Sequence, residues 1–385
     1  MVIFAAKKQQ YFMMRVLRIF WLACCIAVIA AYLTACLSPY VPPSSASFIS
    51  LFALVFPFLF TAAMFCTLTI FFIKKGAAFL TAVLLILAGY TNLRHSVALH
   101  PGKWQIEKGS NTLRIMTWNV EEFLSVYPLA DSHAAPRRDM YSLIKQYNPD
   151  VLCVQEFKDL EGPGYPSFRK ELADMGYQYM YISNDSINDI GGGNKVYRGS
   201  AIIMHTAAID SGRINIRNIG MNENMVYSDV MFNNRRLRIF SGHLASLNLY
   251  SDTIFEPVTH DNIYEKTYKR KRKIEYRYRE GEITHEKQVA FIQSTLRASP
   301  YPVTYCGDNN APPTSYAYNY LTSNLQDAFL KKGFGLGGTF YKISPTLRID
   351  VCLVNNQCNI QQCTVPQVKL SDHYPIVTDI NWKNE

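Results

Sequence analysis

Tyr305-Cys306-Gly307-Asp308-Asn309-Asn310 is the stretch on which the fold turns. A short apolar run, Val303 to Cys306, stops at a glycine, an acid and two amides. A run closed in this way reads as a buried strand delivering polar side chains to a sheet edge, although a surface turn draws on the same residue types. Four other places repeat the ending: Trp118-Asn119-Val120-Glu121, Gln155-Glu156, Ser241-Gly242-His243 and Ser371-Asp372-His373. Five such endings favour an α/β domain with its chemistry along one edge.

Composition divides the 385 residues more sharply than length does. No Lys, Arg, Asp or Glu occurs from Ile19 to Ile73 or from Gly76 to Leu93, which reads as membrane and not as core. Helices are expected at about 19–37, 48–73 and 77–92 within a transmembrane region 1–95, followed by a linker 96–112 and a domain over 113–385. Pro57 falls inside the second span as a tolerated kink. Of the 39 basic residues, Lys7, Lys8, Arg15, Arg18, Lys74 and Lys75 lie in the first part with no acid, so the net charge of +9 shrinks to 33 bases against 30 acids beyond it. That near balance speaks only weakly for a nucleic-acid groove. Basic residues stay cytoplasmic, so three crossings put everything after Arg94 on the outer side. Leu33-Thr34-Ala35-Cys36 resembles a lipoprotein cleavage site, with chance in an Ala-rich span the preferred reading. The nine cysteines show no C-x-x-C spacing, and only Cys358 and Cys363 leave a disulfide open.

Beyond the membrane part, Leu113 to Trp118 alternates like a strand, and Met140, Leu143, Ile144 and Tyr147 share a helix face. Val151 to Gln155 reads as a buried strand, Gly191-Gly192-Gly193 as a flexible loop, and Glu282 to Leu296 as a helix after a long polar loop. The acids Glu121, Glu156, Asp308 and Asp372, the amides Asn119 and Asn310, and the imidazoles His243 and His373 are the groups that phosphate-ester hydrolysis needs: oxygen ligands for Mg²⁺ or Mn²⁺, a base for water, and donors to phosphoryl oxygens.

These motifs, with Gly307-Asp308-Asn309-Asn310, Arg348-Ile349-Asp350 and Ser371-Asp372-His373-Tyr374-Pro375, resemble in order and spacing those of the endonuclease/exonuclease/phosphatase superfamily, the group of deoxyribonuclease I, over about Leu113 to Ile380. The resemblance implies a four-layer α/β/β/α sandwich preceded here by three transmembrane helices. It implies that Glu156 is the main metal ligand, with Asn119, Glu121 and Asp372 close to the ion. Asp308 is similar to the residue that activates water, Asn310 to the one that holds the water and the phosphate, and His373 to a phosphate donor oriented by Asp350. His243 matches a second phosphate-contacting histidine, and Asn119 also belongs to the substrate-binding set. Asn309 departs from the bulky apolar residue usual in the family, which is expected to alter packing more than chemistry.

The implied activity is that of a membrane-anchored bacterial phosphoesterase with Mg²⁺ or Mn²⁺, its catalytic domain on the periplasmic face of the inner membrane. Its substrate is a phosphodiester, either a nucleic acid or a lipid head group. A phosphomonoesterase of the same fold and a non-enzymatic membrane-anchored binding module are the alternatives. The run from Lys266 to Arg279, basic with Tyr268, Tyr276 and Tyr278 interleaved, offers a contact for an anionic surface against the plainer reading of a solvated face.

Overall fold

The computed structural model describes all residues except 1, 73, 125–130, 164–166, 217–218, 220–222, 248–262 and 384–385, and leaves aside the side chains of 2–8, 124, 131–136 and 263–271. Lys266, Tyr268, Lys269, Arg270 and Lys271 of the basic run therefore lie outside the described side chains. The chain forms two compact units, Met1–Arg94 with Thr314–Tyr316, and His95–Pro313 with Ala317–Glu385.

The first unit holds α1 (Val2–Cys36), α2 (Pro43–Leu54), α3 (Phe56–Phe71), α4 (Lys75–Ala88) and the start of α5 (Tyr90–Ser96). One stretch, Gln9–Cys36, is long and apolar enough to cross a membrane by itself. The expected second and third spans are each broken. α2 and α3 bend by 68° and α4 and α5 by 65°, so the count reaches three only if each bent pair is one span. The first break follows from Pro57, which has no N–H to continue a helix and sits in the first turn of α3, after Val55 has left helical geometry. At the second, Gly89 leaves room for the Tyr32 hydroxyl, which donates to Leu85 O at 2.7 Å and would collide with any Cβ there.

The second unit is built on strands β1 (Ala98–Leu99), β2 (Leu113–Asn119), β3 (Val151–Glu161), β4 (Tyr179–Ile182), β5 (Ser186–Gly191), β6 (Asn194–Met204), β7 (Asp210–Ile214) and β8 (Met225–Phe232). They continue with β9 (Arg235–His243), β10 (Val303–Asp308), β11 (Leu325–Asp327), β12 (Phe334–Gly335), β13 (Asp350–Asn355), β14 (Cys358–Thr364) and β15 (Ile376–Trp382). Helices α6 (Asp131–Tyr147), α7 (Phe168–Asp174), α8 (Ile263–Arg297), α9 (Tyr316–Leu321) and α10 (Ala328–Lys332) join them. One sheet runs β14-β15-β2-β3-β6-β4 with β5 on β6, the other β11-β13-β10-β9-β8-β7, and β1 pairs with β12.

The layers follow from strand alternation, since successive side chains point to opposite faces. Ile115, Cys153 and Ile202 of the first sheet meet Ile239, Cys306 and Cys352 of the second in one apolar core. On the outer faces, Met116, Trp118 and Leu152 pack with Met140 and Ile144 of α6, while Phe240, Tyr305 and Leu353 pack with Val289 and Ile292 of α8. The result is the four-layer α/β/β/α sandwich.

One local reading changes and two are made definite. α8 begins at Ile263, so the polar stretch before Glu282 is helix and not loop. Its polar residues lack an apolar period, and Gly281 inside it, a helix-weakening residue, sits where a Cβ would strike Leu247. Gly191-Gly192-Gly193, all at positive φ, form the turn joining β5 to β6. Cys358 and Cys363 are free and buried on one strand. Five rises along the strand separate them by roughly 16 Å, too far to bridge.

Gly242 and Gly307 face each other in register on the parallel strands β9 and β10. A Cβ on Gly307 would fall onto Gly242 O with no room to yield. Gly307→Ala is therefore expected to cost about 1–3 kcal/mol, read as a fall of several degrees in Tm for the full chain in detergent. An unchanged Tm would show that the strands can separate at this point.

Candidate active site

The site is the continuation of the inter-sheet face past the end of the apolar core. On β10 the inward side chains run Cys306 then Asp308, on β9 Ile239, Ser241 and His243, on β13 Cys352 then Asp350, and on β2 Ile115, Thr117 and Asn119. Register sets three of these side by side, because Asp308 pairs with His243 on one flank and with Asp350 on the other. Polar side chains tie the two sheets together here. Gln155 Nε2 donates to Ser241 Oγ at 3.1 Å, and Asn119 Nδ2 donates to Glu156 Oε1 at 3.0 Å and Asp308 Oδ2 at 3.1 Å.

Glu156 reaches this row through a bulge. The pairing of β3 with β6 slips between Val154 and Phe157, and Glu156 takes a φ of 51°. Left-handed geometry costs a non-glycine residue about 1–3 kcal/mol, and the extra residue re-aims the side chain toward the edge. Asn310 does the same after β10 at a φ of 46°, so that its N–H donates to Asp308 Oδ1 at 2.9 Å and its Nδ2 to Leu244 O at 3.0 Å. Glu121, Glu122 and Phe123 follow β2 at φ values of 46°, 56° and 53°. Glu122 is held there by Lys158 at 2.6 Å and Arg198 at 3.0 Å.

Asp308, 1 % exposed, lies between two imidazoles. His243 Nε2 and His373 Nε2 are each 3.6 Å from Asp308 Oδ2. Behind them, His373 Nδ1 donates to Asp350 Oδ2 at 2.8 Å, and His243 Nδ1 is 3.2 Å from Glu223 Oε2. Burial alone would lower both histidines, but Glu223, Asp308 and Glu156 push His243 up to about 10, and Asp350, Asp308 and Asp372 push His373 up to about 10. These neighbouring carboxylates favour the protonated form of both rings. Burial raises the Glu156 carboxyl above the ordinary glutamate range against the pull of His243.

The residues singled out in the sequence thus fall into two groups. Asn119, Glu156, His243, Asp308, Asn310, Asp350 and His373 form one hydrogen-bonded and charge-paired set. Glu121 and Asp372 form another beside it, where Asp372 N donates to Glu121 Oε2 at 3.1 Å and Lys342 Nζ lies 2.9 Å from Glu121 and 3.2 Å from Asp372. Two participants carry no sequence signal. Glu223 ends no apolar strand, and Lys342 follows Phe340 and Tyr341 in a stretch with no strand or helix period ahead of Arg348-Ile349-Asp350. The departure at Asn309 is absorbed in the core, where its Oδ1 accepts from Tyr305 at 3.2 Å.

The donor set fits a hard divalent cation. Glu156, Glu223, Asp308 and Asp350 oppose only the two imidazolium charges, and among the described residues no ammonium or guanidinium faces Glu156. Asp308, Asp350 and His373 also bring ligand atoms within 4.8 Å of one another. There, however, both ring nitrogens of His373 already face carboxylates.

A model of the endonuclease/exonuclease/phosphatase family matches residues 116–373, and one described as a domain of unknown function matches residues 17–96. No curated protein matches the chain significantly. Among solved structures, the chain is similar to a humanized D. rerio TDP2 carrying 14 mutations, at 18 % identity over 71 % of this chain and 100 % of that chain with a TM-score of 0.48. It is similar to an endonuclease/exonuclease/phosphatase from Beutenbergia cavernae at 17 % identity over 71 % and 72 % with a TM-score of 0.47. The human Nocturnin catalytic domain matches at 18 % identity over 71 % and 94 % with a TM-score of 0.46.

Because the folded His373 pKa lies above the unfolded value, its pairing stabilises the fold fully below about pH 6.5 and ceases to do so as pH rises through about 10. Asp350→Asn removes the first-named source of that elevation. It is expected to flatten the alkaline loss of Tm and to lower turnover by about 10²-fold. A variant that keeps the wild-type alkaline slope would show that the pair is not coupled.

Proposed function

The chain belongs to the endonuclease/exonuclease/phosphatase family of metal-dependent phosphoester hydrolases, and from that premise we propose that it is a membrane-anchored phosphodiesterase in which Asp308 activates the attacking water. The observation that carries this reading is the pair of Nε2 atoms, each 3.6 Å from Asp308 Oδ2. Two imidazolium donors flanking one base match the two non-bridging oxygens of a phosphodiester. Asp308 takes the proton of a water whose oxygen bonds to phosphorus, and the departing ester oxygen receives a proton from a flanking imidazolium. Asn310 holds the water and one phosphoryl oxygen, Asp350 and Glu223 keep the two rings oriented, and Glu156 with Asn119 binds the ion. Mg²⁺ or Mn²⁺ bound there supplies charge neutralisation at phosphorus. Glu121 and Asp372 line the same edge.

The anchor is α1 together with the two bent helix pairs taken as spans. The basic residues before Ile19 and at Lys74-Lys75 support a catalytic unit on the periplasmic side of a bacterial inner membrane. A substrate held in the plane of that membrane is a lipid head group, and the basic half of α8, which includes the exposed Arg272, Lys273 and Arg279, supports docking on anionic lipid.

In detergent with Mg²⁺, the full chain is expected to cleave phosphodiesters in preference to phosphomonoesters. Activity is expected to vanish in chelator and to fall to background in Glu156→Gln, which keeps the shape and loses the charge. Faster hydrolysis of a monoester panel would overturn the diester assignment. Replacing Lys269 to Lys273 with Ser removes five cations worth about 1 kcal/mol each near an anionic surface. Hydrolysis of lipid in anionic vesicles is expected to drop more than 100-fold while a soluble diester is cleaved as before. Loss confined to DNA or RNA would reassign the run to nucleic acid.

A further inference from the structure

Thr339 to Lys342 is zipped onto the residues that carry the site. Phe340 bridges to His373, Tyr374 N donates to Thr339 O at 2.7 Å, the Phe340 ring lies 4.8 Å from the His373 ring, and Tyr341 stacks on Tyr374 at 5.0 Å. The backbone from which Lys342 projects is therefore fixed. Its Nζ donates to Glu121 Oε1 at 2.9 Å and to Asp372 Oδ2 at 3.2 Å. Glu121 Oε2 also accepts from Asp372 N at 3.1 Å, while the single Ser371 Oγ hydrogen goes to Asn119 O at 2.7 Å and leaves Asp372 Oδ1, 3.3 Å away, without a committed donor. Glu156 is different: its Oε1 accepts from Asn119 at 3.0 Å, and among the described residues no ammonium or guanidinium faces it.

We infer that Lys342 is a resident counter-ion: its ammonium occupies the position between Glu121 and Asp372 that a second divalent ion would take, so the protein binds one such ion, at Glu156, and not two. An Mg²⁺ or Mn²⁺ entering between Glu121 and Asp372 must shed water and displace the two hydrogen bonds of Lys342. A tethered ammonium satisfies the same carboxylates at a local concentration that free ions do not reach. Glu121 and Asp372 then act as the seat of Lys342 and are not ion ligands. Lys342 is a positioning residue for the acidic edge.

The inference rests on the assignment of the ion to Glu156, and the two are separable by titrating Mn²⁺ into the full chain in detergent by calorimetry. Wild type is expected to bind about one Mn²⁺ and Lys342→Met about two, the second more weakly. Lys342→Arg, and the double variant Lys342→Met with Glu121→Gln, are expected to return to one. Without Mn²⁺, Lys342→Met should melt below wild type, and added Mn²⁺ should recover more of its Tm than it adds to wild type. Two ions in wild type, or a single ion in Lys342→Met with no extra gain in Tm, would overturn the inference. Glu156→Gln tests the other assignment: it should remove the wild-type ion, and an unchanged stoichiometry would refute the ion's place at Glu156 while the Lys342→Met comparison still stands.

Discussion

The arrangement depends on one amide. Asn119 Nδ2 carries two hydrogens and gives one to Glu156 at 3.0 Å and one to Asp308 at 3.1 Å. These acids belong to different sheets, so the amide closes the sandwich at the edge where its apolar core has ended. A neutral double donor is what the position demands, since an acid there would add a third charge and an apolar residue would strand two carboxylates. Hydrogen bonds to charged groups contribute about 1.5–3 kcal/mol each. The Gln155–Ser241 contact at 3.1 Å repeats the device one row deeper.

Around that closure the charges are arranged almost symmetrically. Asp308 has an imidazole on either side, and each imidazole has its own carboxylate behind it, Glu223 for His243 and Asp350 for His373. Each ring is thus fixed in one orientation with Nδ1 turned away and Nε2 turned in. A family that supports nucleases, lipid phosphodiesterases and phosphatases varies what surrounds such a centre, and the substrate is decided by surfaces and not by the row of strand ends.

The row was legible because two simple rules coincide in it. Buried strands show as short apolar runs, and period-two alternation puts the polar residue at each run's end on the same face as the apolar residues before it. Asp308 after Cys306 and His243 after Ile239 follow directly. What stayed hidden depends on geometry that no run encodes. Glu156 was visible as an acid, but the bulge that turns it needs a positive φ which any residue type can be forced into. Glu223 and Lys342 are placed by loops, and loops hold position through tertiary contacts alone. The first half of α8 was misread for the opposite reason: its local composition lacks an apolar stripe, while the helix is extended from a second half whose Val289, Ile292 and Leu296 are anchored in the core.

β15 lies between β14 and β2, inside its sheet and not at the margin. The buried Arg114–Asp379 ion pair that fastens β2 to β15 joins residues 265 apart in the chain. Without β15 in place, β2 would present an open strand edge, which is a template for pairing with the wrong chain. Ser371, Asp372 and His373 lead straight into β15, so the acid–base apparatus is assembled in the same event that seals this edge. Hydrolytic competence and a covered sheet edge thus depend on the seating of one strand, so a lesion that loosens β15 exposes the edge and dismantles the site together.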